Sequence, residues 1–270
     1  MPTDSIELSG SGAGRAVTVT PTADSFGTAV ISLTVTDQEV DGKAAKDSTQ
    51  SFELTVESVN DPAVVEANEG LTLEEGGTET IPTDSLSASD VEDGAADLTF
   101  DVTDGPSNGT LLVGGSEASS FTQADLEAGA VSYSHDGSET TSDSFTFDLS
   151  DTAGEGPEGQ TFAIDVQPVN EAPAVATNEG LTVEEAGSAT ITADSLSASD
   201  PDDGAEALTF EVTSGPENGA LTVEGDTLSA GGEASSFTQA DLEAGSVSYG
   251  HDDSETTSDS FTFDLSDAAG

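Results

Sequence analysis

Apolar residues recur at every second position through much of the chain. Residues 98–102, 145–149 and 162–166 are three examples, in which phenylalanine, leucine, isoleucine and valine alternate with other side chains. A period of two puts successive side chains on opposite faces of a strand, so each segment predicts a strand with one buried face. Clusters of Gly, Pro, Asn and Asp separate these segments, and this spacing predicts an all-β fold of the sandwich type.

Long stretches of the sequence occur twice. VNDPAVVEANEGLTLEE at residues 59–75 returns as VNEAPAVATNEGLTVEE at 169–185, an offset of 110. FTQADLEAGAVSY at 121–133 returns almost unchanged at 237–249, an offset of 116. A repeat of this length is a whole domain rather than a solenoid turn. The change in offset predicts a six-residue insertion near residues 224–231, in a solvent-exposed hairpin.

The repeat predicts three modules along the chain. Module one (residues 1–59) is the C-terminal part of a module, because its end, SFELTVESVND, matches TFAIDVQPVNE at residues 161–171. Module two (residues 60–169) is complete, and module three (residues 170–270) stops before that last strand. We therefore expect the chain to be a window on a longer tandem array.

Within a complete module we expect about seven strands and very little helix. Thr122-Gln-Ala-Asp125 has the spacing of a capping box that opens one helical turn, and Gly129 is placed to end it. The Asn-Gly pairs in GPSNGT and GPENGA predict tight turns.

Acidic residues far outnumber basic ones, with 55 Asp and Glu against three Lys and Arg. Six of these acids and all three bases lie in the first 46 residues, which leaves 49 carboxylates and no base in the remaining 224. Ion pairs within the chain cannot neutralise this charge, so we expect metal ions, salt or a cationic partner to do so. Nucleic acid and anionic membranes are excluded as partners, because both bind positive patches.

The high charge and the low aromatic content (5%) are also typical of intrinsic disorder. The alternating segments favour a folded chain instead. No apolar run is long enough to span a bilayer, so no membrane insertion is expected in this segment. Cysteine is absent, so disulfides cannot stiffen the modules, and metal ions are the remaining candidate.

Nothing in the sequence predicts an enzyme. His135 and His251 occupy the same place in two copies, and without cysteine partners a structural role is favoured over zinc binding or catalysis. No G-x-S-x-G elbow, P-loop or nonapeptide calcium repeat is present. The alternating phenylalanines are interpreted as core rather than as a platform for stacking sugars.

Several motifs recur in a fixed order: VNDP or VNEAP, SASD followed by two acids within four residues, FTQADLEAG, HDGSE or HDDSE, and DSFTFDLSD. In this order they resemble the cadherin-like superfamily, and in particular the chondroitin-sulfate-proteoglycan-type repeats of bacterial surface adhesins. The resemblance covers residues 59–270. It implies tandem seven-stranded Greek-key β-sandwich modules, cadherin- or Ig-like, arranged end to end with Ca²⁺ at their junctions.

Carried over residue by residue, the resemblance implies two sets of calcium ligands. At the junction before module two the set is Asn60, Asp61, Asp90, Glu92 and Asp151. At the next junction it is Glu75, Asp136, Glu139, Asn170, Glu171, Asp200, Asp202 and Asp267. The linker VNEAP is shorter and less acidic than that of animal cell-adhesion cadherins, so one or two ions per junction are expected. The alternative is that these acids are solvated turn residues, which need no metal.

The function implied is that of a calcium-rigidified, extracellular or cell-surface stalk segment of an adhesin. Its partners would be neighbouring modules of the same chain, other copies of itself or a cell-surface ligand. The alternative hypothesis is a subunit of an extracellular filament or surface layer, assembled by strand complementation between chains.

Overall fold

The structure is a computed structural model that describes residues 6–11, 14–39, 41–229, 231 and 235–270. It divides into two compact units. The first contains Met1–Gly137 and Ser142–Val166, and the second contains Ser138–Thr141 and Gln167–Gly270. The two units are described separately below.

The first unit is built almost entirely of strands. Its elements are β1 (Ile6–Ser11), β2 (Gly14–Val19), β3 (Gly27–Thr36), β4 (Asp47–Val56), β5 (Val64–Asn68), β6 (Leu71–Glu74), β7 (Thr78–Thr80), β8 (Leu86–Ser89), β9 (Thr99–Asp104), β10 (Gly109–Val113), β11 (Ser116–Glu117), β12 (Ser120–Thr122), α1 (Gln123–Glu127), β13 (Val131–His135), β14 (Ser142–Ser150) and β15 (Gln160–Gln167).

The second unit repeats most of this order. Its elements are β16 (Ala174–Asn178), β17 (Ser188–Thr190), β18 (Leu196–Ser199), β19 (Thr209–Ser214), β20 (Gly219–Val223), β21 (Asp226–Thr227), β22 (Ser236–Thr238), α2 (Gln239–Ala244), β23 (Val247–His251) and β24 (Thr262–Ser266).

Module two is a β-sandwich, as predicted. One sheet has the strand order β11-β10-β13-β7, the other has the order β12-β9-β14-β15-β6, and β5 pairs with β8 beside them. Module three has the corresponding sheets β17-β23-β20-β21 and β22-β19-β24, with the pair β16-β18. The pairs β10–β13, β14–β15 and β9–β14 of module two are antiparallel, and so are the pairs β19–β24 and β20–β23 of module three. The all-β fold class of the sequence analysis is confirmed.

The core of module two is formed by the inward side chains of the alternating segments. Phe100, Phe147 and Phe162 are fully buried, and the ring of Phe100 stacks on that of Phe121 with centroids 4.8 Å apart. In module three the equivalent rings of Phe210 and Phe237 stack at 5.0 Å. Stacked and tilted rings of this kind add to the free energy gained by burying their area. The segments identified by their period of two therefore supply both cores.

The FTQAD motif closes one edge of each sandwich. Thr122 caps α1, with its hydroxyl accepting from the Asp125 N–H while the Asp125 carboxylate accepts from the Thr122 N–H. Gly129 follows in the left-handed region at φ +64°, so the predicted capping box and stop are confirmed. The buried Gln123 accepts the Ala88 N–H at 2.9 Å, which attaches the helix to β8. The equivalent bond from Ala198 to Gln239 is 2.8 Å.

The predicted tight turns at Asn-Gly are wrong. β9 and β10 lie in different sheets, and neither Asn108 nor Gly109 has the positive φ that a two-residue hairpin turn requires there. The segment instead crosses from one sheet to the other. Gly109 is required because a Cβ at this position would overlap the hydroxyl of Tyr133.

A half-buried acid, Asp143, fixes this crossing, and we call its set of hydrogen bonds the Tyr–Asp staple. The Asp143 carboxylate accepts the N–H groups of Ser107 at 3.0 Å and Asn108 at 2.9 Å, and the Tyr133 hydroxyl at 2.8 Å. Burial alone would raise the pKa of Asp143, but these donors and the Ser144 N–H together lower it. The carboxylate therefore stays ionised in the fold and ties two sheets and a crossing loop together.

Module three contains the same staple. The Asp259 carboxylate accepts the N–H groups of Glu217 and Asn218, each at 2.9 Å, and the Tyr249 hydroxyl at 2.9 Å. The first Asp of the repeated DSFTF motif is therefore explained by this half-buried carboxylate, which joins the two sheets in each module.

The six-residue insertion is not in the predicted hairpin. The turn at Glu224 and Gly225 matches that at residues 114–115, and the N–H of Leu228 bonds to Leu221 as that of Ala118 bonds to Leu111. From Ser235 onward the offset is 116, because Ser235 accepts the Val212 N–H as Ser119 accepts that of Val102. The extra residues are thus 229–234, of which 230 and 232–234 lie outside the described part.

In module one the described residues form two hairpins. β1 pairs with β2, and β3 pairs with β4 over ten residues on each strand. Ile31 is buried, while Leu8 and Val35 are largely exposed. The assignment of residues 1–59 as the C-terminal part of a further module, module one, stays a prediction. Among the residues described, no helix has the length and apolar character needed to cross a membrane.

We predict that Asp143→Asn destabilises module two by about 2 kcal/mol, because a neutral amide cannot accept all the donors that face the carboxylate. Hydrogen exchange followed by mass spectrometry resolves the two modules, so module three serves as an internal reference. The control is Asp101→Asn, which removes the same charge from an exposed position in β9. A loss in module two below about 0.5 kcal/mol, which is ordinary for a surface substitution, would contradict the staple.

We predict that the two tyrosines ionise only at strongly alkaline pH. Burial, the hydrogen bond to Asp259 and the charges of Asp259 and Asp252 raise the pKa of Tyr249 to about 12, and the pKa of Tyr133 is raised for the corresponding reasons. Because these pKa values lie above the ordinary 10.0, the staple stabilises the fold fully below pH 10, and this contribution is lost as the pH rises through the folded value. Tyrosinate absorbance measures the titration, and Asp259→Asn should lower the pKa of Tyr249 only.

Candidate metal centres

The end of module two at which β5 begins brings five of the predicted ligands into one network. Asn60 and Asp61 lie just before β5, Asp90 and Glu92 lie in the turn after β8, and Asp151 follows β14. Strand ends on one side of a sandwich meet at the same edge, which is why acids far apart in sequence become neighbours. Asp151 is buried, and the others are at least partly exposed.

The side chain of Asn60 lies at the centre of this network. Its Nδ2 donates to Oδ2 of Asp151 at 2.9 Å and to Oε2 of Glu155 at 3.1 Å, and it lies 3.2 Å from the carbonyl oxygen of Asp61. The Asp61 N–H donates to Oε2 of Glu92 at 3.1 Å. An amide N–H₂ group thus lies where three oxygen atoms converge.

Asp90 shapes the acidic turn. Its Oδ1 accepts the N–H groups of Glu92 and Asp93, both at 2.7 Å, an arrangement typical of an Asp that starts a turn. Its Oδ2 is buried and has no hydrogen-bond partner. An ionised oxygen that is buried without a donor is costly, and a cation would satisfy it.

Two further acids belong to the network and were not predicted. Asp93 accepts the N–H and the hydroxyl of Thr152 at 3.0 and 2.8 Å, and Glu155 accepts from Asn60. The SASD turn contains Asp93 and its repeat Asp203, so the recurrence of this acid in both copies was an available signal. Glu155 lies in a loop that has no counterpart within module three, so the repeat gave no indication of it.

Asp151 is held ionised by donors from its own loop. The Glu155 N–H and the Asn60 amide lower the pKa of Asp151, together with the N–H groups of Ala153 and Gly154 and against the effect of burial. The carboxylate is therefore charged at any pH above its ordinary value, which is the state that a metal ion requires.

The corresponding end of module three has the same network. Nδ2 of Asn170 donates to Asp267 at 2.9 Å and to the carbonyl of Glu171 at 2.9 Å, and the Glu171 N–H donates to Asp202 at 2.8 Å. Here the Asn170 amide is the main cause that lowers the pKa of Asp267.

The acidic turn of module three matches as well. Oδ1 of Asp200 accepts the N–H groups of Asp202 and Asp203, each at 2.9 Å, and its Oδ2 is again buried without a partner. The structure therefore brings together Asn170, Glu171, Asp200, Asp202 and Asp267, five of the eight ligands predicted for this junction.

Two of the remaining predicted ligands, Glu75 and Asp136, belong to the first unit. Glu75 and Asp136 lie near His135, whose Nδ1 accepts the N–H groups of Gly76 at 3.1 Å and Gly137 at 3.2 Å. His135 is buried, and an Nδ1 that accepts two N–H groups is unavailable for a metal, which supports its predicted structural role. Glu139 lies in the segment Ser138–Thr141, which belongs to the second unit, and one of its carboxylate oxygens lies within 4.8 Å of one of Asp202. The participation of Glu75, Asp136 and Glu139 in a calcium site stays a prediction.

The two networks suit a hard cation. Carboxylate and carbonyl oxygens are the ligands of Ca²⁺ and Mg²⁺ in proteins, and both networks supply such oxygens with no thiol or imidazole among their members. The unpartnered Oδ2 atoms of Asp90 and Asp200 are the observation that fits a bound cation best.

Comparison with known proteins identifies the family. A model of the cadherin-like family matches residues 62–166 and 173–269. The chain therefore belongs to the cadherin-like family.

Several matrix proteins are similar over most of the chain. The mouse (Mus musculus) extracellular matrix organizing protein FRAS1 is 39% identical over 234 residues, 84% of this chain and 6% of that protein. Extracellular matrix protein 3 of Lytechinus variegatus is 34% identical over 222 residues, 80% of this chain and 7% of that protein. Human (Homo sapiens) chondroitin sulfate proteoglycan 4 is 34% identical over 211 residues, 75% of this chain and 9% of that protein. The chain thus spans less than a tenth of each of these relatives.

Among solved structures, protocadherin gammaB7 (EC3-6, cis-dimer) is 15% identical with a TM-score of 0.45. The match covers 85% of this chain and 57% of the protocadherin chain. The family assignment rests on the sequence comparisons.

We predict that Asn60→Asp lowers the melting temperature of the chain in EDTA at low salt. The new carboxylate replaces a donor that faces Asp151 and Glu155, so three negative groups would lie together. Each kcal/mol lost corresponds to about 4–8 °C for a domain of this size. Molar salt shortens the screening length to about 3 Å and should restore part of the loss.

The control for this variant is Asn68→Asp. Asn68 donates to the carbonyl of Thr161 at 3.0 Å rather than to a carboxylate. The Asn68→Asp variant should therefore be less stable than the unchanged chain, and molar salt should not restore its stability. Equal salt recovery in both variants would show that Asn60 faces no special negative field.

Proposed function

We propose that the chain is a calcium-rigidified segment of an extracellular structural protein, a stalk in which each module end binds Ca²⁺. The single observation that supports this most is the recurrence of one oxygen-rich network in both modules, each with a buried carboxylate oxygen that has no donor. A bound cation would give this oxygen the partner that it lacks.

The residues that would hold the ion are those of the two networks. In module two they are Asp61, Asp90, Glu92, Asp93, Asp151 and Glu155, with Asn60, whose amide rotated by half a turn would present its oxygen instead of its nitrogen. In module three they are Glu171, Asp200, Asp202, Asp203 and Asp267, with Asn170. Glu75, Asp136 and Glu139 are proposed as additional ligands on the family resemblance.

Ca²⁺ is favoured over Mg²⁺ by the donors themselves. The networks contain seven oxygen-bearing groups in module two and six in module three. Ca²⁺ accepts six to eight oxygens in irregular geometry, whereas Mg²⁺ demands a compact octahedron. A divalent ion also reduces the repulsion among carboxylates in a chain of net charge −52.

Calcium would act mainly on stability and stiffness. Sites of the extracellular type bind at about 0.1–1 mM, which matches an environment outside the cell. At a free concentration 100 times the dissociation constant, one site stabilises its module by about 2.7 kcal/mol, a large share of the 5–15 kcal/mol typical of a domain. The stability of the modules would therefore depend on the calcium concentration around the chain.

The relatives support an extracellular location. Their names describe extracellular matrix proteins and a proteoglycan, and none of these names describes an enzyme. An adhesive role, as part of a surface adhesin that contacts other copies or a cell-surface ligand, extends this proposal.

We predict that Ca²⁺ raises the thermal midpoint of both modules and that Mg²⁺ at matched ionic strength does so much less. The measurement is thermal unfolding in EDTA and then with calcium up to about 10 mM, which exceeds the expected dissociation constants. Asp90→Asn should abolish the gain in module two alone, because the amide keeps the Oδ1 acceptor of the turn but cannot ligate through Nδ2. Asp200→Asn should do the same in module three.

The control is Asp104→Asn, which neutralises an exposed acid of β9 outside the network. Hydrogen exchange assigns each change to its module. The proposal is wrong if Mg²⁺ or plain salt gives the same stabilisation as Ca²⁺, or if Asp90→Asn leaves the calcium response of module two intact. In either case the acids of the networks are solvated turn residues that need no metal.

A further inference from the structure

One asparagine of the chain has the sequence context of an N-linked glycosylation site. The chain contains six asparagines, and only one of them is followed by a residue other than proline and then by Ser or Thr, in Asn108-Gly109-Thr110. The equivalent segment of module three reads Asn218-Gly219-Ala220 and lacks the hydroxyl. The two copies of one crossing between sheets therefore differ in a feature that glycosylation requires.

The backbone of Asn108 is held by the Tyr–Asp staple and by the residue that follows β13. Its N–H donates to Oδ2 of Asp143 at 2.9 Å. Its carbonyl oxygen accepts the Tyr133 hydroxyl at 3.1 Å and the Asp136 N–H at 3.0 Å. All three hydrogen bonds use main-chain atoms of Asn108, so the crossing does not depend on its side-chain amide.

The start of β10 directs the two side chains that glycosylation needs away from the core. A Cβ at Gly109 would meet the ring and the hydroxyl of the buried Tyr133, so position 109 faces inward. Successive side chains of an extended segment point to opposite sides, so the residues on either side of Gly109 are directed outward. Asn108 and Thr110 are both partly exposed, in agreement with this direction.

The outer face of the sheet beside this segment carries hydroxyl groups instead of charges. Two rows of side chains cross strands β7, β13 and β10, and they are formed by Thr78, Ser134 and Thr110 and by Thr80, Ser132 and Leu112. Neither row contains a carboxylate, although the chain has 55 Asp and Glu among its 270 residues. A neutral oligosaccharide at Asn108 would thus lie beside hydroxyl partners and would desolvate no charge in these rows.

We propose that Asn108 is an acceptor of N-linked glycosylation, that Thr110 supplies the hydroxyl which the transferase recognises, and that Asn218 carries no glycan. The donor is an oligosaccharide linked to a polyprenyl diphosphate. Nδ2 of Asn108 attacks the anomeric carbon of the first sugar, and a C–N bond forms while the C–O bond to phosphate breaks. The lipid diphosphate leaves, and the amide gives up one proton. The proposal rests on the extracellular location, because this chemistry acts on exported chains.

The test secretes the full chain, fused to a secretion signal, from cultured animal cells and analyses its peptides by mass spectrometry. We expect a glycan on Asn108 in most of the secreted chain and none on Asn218. Peptide N-glycosidase in heavy-oxygen water converts a glycosylated Asn108 into labelled Asp, which marks the site. Asn218 is also followed by Gly, so its peptide measures spontaneous deamidation in the same incubation.

Matched variants separate recognition from folding. Thr110→Ala should abolish the glycan although the acceptor is kept, and Asn108→Gln should abolish it while the main-chain contacts remain, which hydrogen exchange of module two checks. Ala220→Thr is the positive control. It should place a glycan on Asn218, whose N–H and carbonyl make the same contacts with Asp259 and Tyr249.

Two results would overturn the proposal. One is an Asn108 that is unmodified in most of the secreted chain, and the other is a glycan that persists on Asn108 in Thr110→Ala. Neither measurement involves calcium, so a negative result here leaves the proposed calcium sites standing, and the calcium titration tests those sites separately.

Discussion

The shortage of basic side chains is the constraint on which the rest of this structure depends. With three Lys and Arg against 55 acids, a carboxylate that is drawn into the fold must be satisfied by something other than an ion pair. Asp90, Asp125 and Asp143 each accept backbone N–H groups. Backbone donors at turns and helix starts are always available, and a hydrogen bond to a charged acceptor is stronger than one between neutral groups. Acids therefore build the loops of both modules.

The same constraint separates two kinds of acid. The carboxylates of Asp143 and Asp259 have both oxygens satisfied by backbone and tyrosine donors, so they hold the sandwich together and need no ion. Asp90 and Asp200 each have one oxygen satisfied and one buried without a donor. Only the second kind gains from a cation. The repeated acidic phrases therefore combine structural carboxylates with carboxylates suited to binding.

Module two contains β15, and the described residues of module three contain no strand equivalent to it. Apolar side chains next to this position are more exposed in module three than their equivalents in module two. Leu181 is more exposed than Leu71, and Phe261 and Phe263 are only half-buried. The capping box, the Tyr–Asp staple and the acidic turn are unaffected. Each of these depends on contacts within its own part of the sandwich, whereas the burial of Leu71 in β6 depends on the neighbouring strand β15.

The sequence alone determined the strand faces, the repeat and the capped helical turn, because each follows from local periodicity or from hydrogen bonds between residues a few positions apart. It also indicated most of the acids of the two networks through the family resemblance. Only the tertiary structure decided that the Asn-Gly segment crosses between sheets, that the insertion is residues 229–234, and that Asp93 and Glu155 join the network. It also assigned Asp143 to the Tyr133 hydroxyl rather than to an ion. These outcomes depend on which strand ends meet in space, and a one-dimensional pattern contains no record of that proximity.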